Sequence, residues 1–392
     1  MKISERAERL APSSTLEVKA EADRLRARGL EVIDFGLGEP DYDTPVAIRD
    51  AAKVALDRGD TRYGSTSGKP SLRRALAARA AERFGGTWSE SEVVVGVGGK
   101  GVLFLLMQAL VDAGDEILIF SPYWVSFPDQ IRLAAGVPVA VPAREEDGFV
   151  PDPRTAEERL TPRCRGLILN SPCNPTGAVI PPARLEAFAD LARRRDLFLI
   201  SDETYERFVY PGHRFASAAG LRERSGDRVV VVHSFSKTFA MTGWRVGSAL
   251  APGPVAAAMA RIQSHDATHP ASFAQAGAEA ALAMDDGVVA AMVADYTHRR
   301  QVMLDGLASV PGVTCVPPGG AFYVFPAVGE LCRRAGCGSS RELAARLLRE
   351  AGLAVVPGEA FGVEGHLRLS YALPDERLRE GLARLRRFAA SG

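Results

Sequence analysis

Two periodicities divide the chain. Between residues 92 and 251, short runs of consecutive apolar residues alternate with longer amphipathic stretches. The runs EVVVGV (92–97), EILIF (116–120), GVPVAV (136–141), RGLILN (165–170), LFLIS (197–201), RVVVVH (228–233) and GSALA (247–251) are too short for helices of their own. Most are rich in β-branched residues, and continuous apolar strands belong to sheets buried on both faces. Helical patterns lie between them over 100–112, around 125–135 and over 182–194, with two more upstream at 45–58 and 70–84. This alternation predicts an α/β fold with a large domain built on a mainly parallel seven-stranded sheet covered by helices. After a long helical stretch near 285–308 the texture changes. AFYVFPA, a helix over 340–351, LAVVPG, LRLSYA and a last helix over 375–389 predict a smaller α/β domain. The expected division is an N-terminal arm joined to the small domain over 1–44, a large domain over 45–285 and a small C-terminal domain over 286–392.

Composition narrows the partners. The 392 residues exceed what one hydrophobic core usually serves, in keeping with two domains. Forty-eight basic and 48 acidic residues cancel, so no electrostatic ground exists for nucleic acid or an anionic membrane as a partner. The N-terminus lacks the apolar core of a signal peptide and no run reaches spanning length, which makes the cytoplasm the expected location. The five cysteines, at 164, 173, 315, 332 and 337, match no zinc spacing and read as reduced thiols, and no metal is expected. Only six of the 48 basic residues are lysines, so a lysine here carries slightly more information than usual.

Open α/β sheets bind ligands outside the carboxyl ends of their strands. The residues just beyond each run are therefore informative: GGKG after the first, SPYW after the second, then SPCNPTG, DETY and SFSK. A glycine turn, an aromatic, an amide, an Asp/Tyr pair and a lysine converge on one crevice. Gly96, Gly98 and Gly101 have the G-x-G-x-x-G spacing of a dinucleotide site. However, the next strand ends in Ser121 and Pro122, not in an acid for a ribose. The surviving feature is a phosphate site at a helix N-terminus formed by Gly98, Gly99 and the Lys100 amide.

If that phosphate belongs to an aromatic aldehyde cofactor, the remaining groups acquire roles. Lys237 is the amine for a Schiff base, helped by burial beside the cation Arg245. Arg245 and the hydroxyls of Ser234 and Ser236 serve the phosphate. Asp202 pairs with a pyridine nitrogen, Asn174 and Tyr205 reach a ring oxygen, and Trp124 stacks on the ring. In HLRLSY, Arg368 faces away from Leu367 and Leu369, and its planar fork suits a carboxylate. Plainer readings exist for each: Asp202 as a helix cap, Trp124 as core, the arginines as two among 42.

The segments GLGEPDYDTP, TRYGSTSGKPSLRRALA, GVGGKGVLFLLMQALVDAGDEILIFSPYWVSFP, NSPCNPTG, SDETYE, SFSKTFAMTGWRVG and GHLRLSYA occur in this order. In them the chain resembles, almost end to end, the fold-type I pyridoxal-phosphate enzymes of the class I/II aminotransferase family, nearest the bacterial aspartate aminotransferase type. The resemblance implies pyridoxal 5'-phosphate as cofactor and ping-pong transfer of an amino group from an amino acid to a 2-oxo acid through a Schiff base on Lys237. It makes Lys237, Asp202 and Tyr205 the catalytic residues. It also implies that Tyr63 reaches the phosphate of a neighbouring subunit in a homodimer with shared sites. Arg368 then clamps the substrate α-carboxylate and the backbone at Gly38 closes over the substrate, beside Trp124 and Asn174. Lys100, helped by Ser13 and Thr15, receives a side-chain carboxylate, so aspartate or glutamate is the expected donor. Ala11 stands where members that also handle prephenate carry lysine, so that activity is not expected.

Gly101 and Ser248 replace larger residues common in the subgroup, which predicts a roomier pocket. The same scaffold supports elimination or replacement at Cβ or Cγ, the alternative reading. A sensor domain or a substrate-binding protein without chemistry fits less well, because Lys237 is retained and no helix-turn-helix extension is present. His233 is expected near the phosphate side, and His269 is a candidate for the border of the substrate pocket.

Overall fold

The computed structural model describes residues 2–8, 10 and 14–391. Seven strands form the central sheet: β1 (Val93–Val97), β2 (Glu116–Ser121), β3 (Val137–Pro142), β4 (Cys164–Asn170), β5 (Phe198–Asp202), β6 (Val229–Ser234) and β7 (Val246–Leu250). Their spatial order is β1-β7-β6-β5-β4-β2-β3. β7 runs antiparallel to both neighbours and the other pairings are parallel, so the sheet is mixed. The continuous apolar runs have the expected cause. Val229, Val231, Leu167, Leu169 and Leu199 face one hydrophobic layer. Val230, Val232, Ile168, Ile200, Ile117 and Ile119 face the other. Alternate residues of each strand thus enter different layers, and both are closed by helices.

The direction of β7 matters for the site. Strands β1, β2, β4, β5 and β6 all end at one sheet edge, and an antiparallel β7 begins there. Arg245, which precedes β7, therefore joins the residues at the ends of the other five.

The helix predicted over 100–112 begins at Gly98 and ends at Leu110. Those over 45–58 and 70–84 are Val46–Asp57 and Pro70–Phe84. The C-terminal strands are shorter than the apolar pattern suggests. LAVVPG divides at Val355: Leu353–Ala354 pairs in parallel with Ile33–Asp34, whereas Val356–Pro357 pairs with Leu367–Arg368. The chain passes from one small sheet to another, so one apolar run serves two ladders. AFYVFPA contributes only Tyr323–Val324 as a strand, and beyond it Ala327 makes isolated bridges to Thr314 and His366. Residues 33–34 and the helix Ser14–Ala27, through Ala22 and Leu25, pack with Leu348 and Ala354. Among the described residues no helix is long and apolar enough to cross a membrane.

Candidate active site

The strand ends and the loop 36–39 enclose a cavity of about 400 Å³. Of the residues expected from the sequence, Thr15, Gly38, Gly99, Lys100, Trp124, Asn174, Asp202, Tyr205, Ser234, Ser236, Lys237, Arg245 and Arg368 all line it. Gly98 and Tyr63 do not. Gly98 lies directly behind Arg245: a Cβ there would fall 2.5 Å from Arg245 Nη2. Tyr63 is 90% exposed. Ser13 and Ala11 lie outside the described residues.

The glycine turn is held by close backbone approach. Gly98 has φ +69°, in the left-handed region that favours glycine. A Cβ on Gly247 would meet Gly99 N at 2.4 Å and Gly98 C at 2.6 Å, both backbone atoms that cannot rotate away. Gly247→Ala is therefore expected to cost about 1–3 kcal/mol of stability by overpacking. It should also loosen retention of any phosphate ligand on the turn. Thermal denaturation and dialysis check both, and an unchanged melting temperature counts against the close approach. Arg245 itself adopts φ +54°, uncommon for a residue with a side chain, and its Nη1 donates to Thr242 O at 2.8 Å.

Lys237 donates through Nζ to the carbonyl of Gly38. Burial, reinforced by the cations Arg368, Arg245 and Lys100 and opposed by Glu39, lowers its pKa to about 8. Asp202 lies at the cavity floor, where burial raises its carboxyl to about 6, although the Thr204 N–H donates to Oδ1 at 3.2 Å. Lys100 is also pushed down, by burial and then by Arg245, and its Nζ lies 5.1 Å from the Trp124 ring centroid. Arg368 is buried. It donates through Nη1 to Asn174 Oδ1 at 3.1 Å and through Nη2 to Gly36 O at 2.7 Å, leaving a buried Nε without a partner. Such a donor is expensive unless a ligand accepts from it.

Several contributors were missed. Asn170 accepts the Asn174 N–H at 2.9 Å through Oδ1 and donates to Asp202 O at 3.1 Å, tying two strand ends together. Its signal was present, since the apolar run RGLILN ends on an amide. Tyr323 shares a 2.8 Å hydrogen bond with the hydroxyl of Tyr205, and the Arg368 guanidinium lies 4.7 Å from its ring centroid. Alternation in AFYVFPA shows an aromatic face but not what it meets. Gly36 acts through its carbonyl, which no side-chain pattern reveals, as does Gly38, whose backbone was expected at the site. Lys19, Asp34 and Glu39 also line the cavity.

Three expectations need correction. Gly101 does not enlarge the pocket: one position beyond Lys100, it turns toward Val97, whose Cβ would be 3.4 Å from an added Cβ. Ser248 is buried inside β7, opposite Val95 and His233, and does not reach the cavity. His269 does not line the cavity either, because its Nε2 accepts from the Gly64 N–H at 2.8 Å. His233 precedes Ser234 on β6, but its Nε2 lies 3.3 Å from Glu203 Oε2. Among the described residues no group of His, Cys, Asp and Glu is arranged to hold a metal ion.

A glycine cradle, two hydroxyls and a guanidinium suit a phosphate, and a buried acid suits a cationic ring nitrogen. An amine of lowered pKa between them suits an aldehyde carbon. By its donor set the cavity fits pyridoxal phosphate, and a lysine-centred enzyme site on a mixed α/β sheet is defined. The chain belongs to the family described as aminotransferase class I and II, whose profile matches residues 31–385. It is 42% identical over 387 residues to a probable aspartate/prephenate aminotransferase of Aquifex aeolicus, covering 98% of each chain. It is 39% identical over 388 residues to an aspartate aminotransferase of Geobacillus stearothermophilus, with 99% of each covered. Among solved structures, the Thermus thermophilus aspartate aminotransferase with maleate superposes with a TM-score of 0.93 at 42% identity, covering 99% of this chain and 100% of that one. The chain is a transaminase of a family that depends on pyridoxal phosphate, and these relatives do not favour the elimination or replacement alternative.

Proposed function

We propose that this transaminase uses pyridoxal 5'-phosphate and takes aspartate or glutamate as amino donor. The observation that carries the reading is Lys237, half-buried beside three cations and lining the same cavity as the buried carboxyl of Asp202. When bound, the cofactor supplies an aldehyde carbon for the amine and a ring that withdraws electrons from Cα. The chain's own residues do the rest. Gly99, the Lys100 amide, Ser234, Ser236 and Arg245 would hold the phosphate, and Gly98, expected there from the sequence, shapes the turn behind Arg245. Asp202 would keep the ring nitrogen protonated, Asn174 and Tyr205 would serve the ring oxygen, and Trp124 would pack on the ring. Arg368 binds and orients the α-carboxylate, with the unpartnered Nε as a spare donor, and Lys237 Nζ moves the Cα proton. Two half-reactions at one site give ping-pong kinetics. Tyr63 serves the phosphate of a second subunit, so the working form is a homodimer. The arm 1–44 joins the small domain 286–392 against the large domain 45–285, and the enzyme is cytoplasmic.

The test is the visible absorption spectrum of purified protein titrated with single amino acids in the absence of a 2-oxo acid. Aspartate or glutamate should remove the cofactor's visible band stably. Release of ammonia with the band retained would instead indicate lyase chemistry, and no band even with added cofactor would sink the reading. Lys100 is tested by substitution. Lys100→Ala should raise KM for aspartate about 10- to 100-fold, the scale of a lost hydrogen bond to a charged group, and leave alanine turnover nearly unchanged. Equal effects on both donors would remove Lys100 from side-chain recognition.

A further inference from the structure

Four side chains of the segment 263–275 hold the loop 60–69. The Ser272 hydroxyl donates to Asp60 O at 2.7 Å, and Gln275 Oε1 accepts the Lys69 N–H at 2.8 Å. Gln263 Nε2 donates to Thr66 O. The fourth is His269, and its geometry is the most restrictive. Nε2 accepts from the Gly64 N–H at 2.8 Å, while Nδ1 lies 2.7 Å from Pro270 O, which can only accept. Both ring nitrogens are thereby assigned: Nδ1 carries the proton and Nε2 is the acceptor. The ring meets Tyr63 edge-on, with centroids 6.2 Å apart and planes at 88°. The residue before it, Thr268, has φ +62°, a left-handed conformation unfavourable for a β-branched side chain. Strain of this kind persists where the surroundings impose it. The loop so fixed presents a tyrosine that is 90% exposed. Holding a side chain before contact reduces the ordering cost of binding.

We infer that His269 is a positioning residue that fixes Tyr63 outward to complete the phosphate site of a second copy of this chain. The inference rests on the proposed role of Tyr63 at the partner's phosphate. It assigns to His269 a bond to the neighbouring peptide, with no contact to substrate.

The experiment measures dissociation constants of pyridoxal phosphate and of pyridoxal, which lacks the phosphate, by equilibrium dialysis of the full-length protein. Tyr63→Phe, His269→Ala and the volume-keeping His269→Leu should each weaken pyridoxal phosphate about tenfold, one hydrogen bond to a charged group. Pyridoxal should change by less than about twofold, and His269→Gln, which restores an acceptor, should recover most of the affinity. If Tyr63→Phe weakens the phosphate ligand and neither the alanine nor the leucine variant does, the role of His269 is overturned and that of Tyr63 stands. If Tyr63→Phe has no effect, the reading of Tyr63 fails and takes the inference with it. Equal weakening of both ligands by the His269 variants, with a lowered melting temperature, would make His269 a merely structural residue and also overturn the proposal. Leucine serves as the test where alanine does not fold.

Discussion

Lys237→Ala should lower turnover by about 10⁴-fold or more, the upper end of what a positioned proton-transfer group supplies. The loss should not come from unfolding. An amine held down to about 8 by desolvation is a stability cost in the cofactor-free protein, so its removal should leave the melting temperature equal or higher. The sign comes from the protons bound. The unfolded amine, at 10.5, holds its proton to higher pH than the folded one, so the cost shrinks as pH rises from about 8 toward 10.5. For the same reason the rate at which cofactor-free enzyme takes up pyridoxal phosphate should rise with pH through about 8, as the amine becomes neutral. Stopped-flow absorbance across that range checks the prediction, and a flat profile would place the titrating amine elsewhere.

Asp202→Asn should cost about 10²- to 10⁴-fold in kcat with a much smaller change in KM. The carboxylate's contribution grows as negative charge is withdrawn into the ring, and asparagine cannot balance a protonated ring nitrogen. The substitution is nearly isosteric, and the Thr204 N–H can still donate to the remaining oxygen, so the cavity should keep its shape. A stability measurement separates this from misfolding. In the cofactor-free protein the folded Asp202 keeps its proton to about 6, whereas the unfolded carboxyl loses it near 3.8. Stability is therefore lost as pH rises through that window, by roughly 3 kcal/mol. Asp202→Asn should remove this slope. Unchanged activity in the variant would exclude Asp202 from the ring contact.

Much of the site was legible because this fold places function where hydrophobic runs stop. GGKG, SPYW, SPCNPTG, DETY and SFSK could be read as convergent before any contact was known, since parallel strands deliver their ends to one edge. The flanking motifs then supplied roles that isolated residues cannot. Legibility failed wherever an interaction depends on direction. Gly101 looked like added room, but one residue along a helix is a rotation of about 100°, and it turns toward Val97. Ser248 looked like a pocket residue, but its strand carries it into the sheet. His269 looked like a pocket border and is a peg for the loop of Tyr63.

The sequence by itself determined the layered α/β architecture and the family, and it named Lys237, Asp202, Arg245 and Arg368, which the fold brings to one cavity. Each depends on residue type and local order, which one-dimensional patterns preserve. Only the tertiary structure decided how those groups are held. The antiparallel course of β7 brings Arg245 to the shared edge, and the backbone carbonyls of Gly36 and Gly38 engage Arg368 and Lys237. Tyr323 and Asn170 brace the residues the motifs had named. These are contacts between segments far apart in the chain. They depend on strand direction, helix phase and carbonyl orientation, quantities that become defined only when the layers pack.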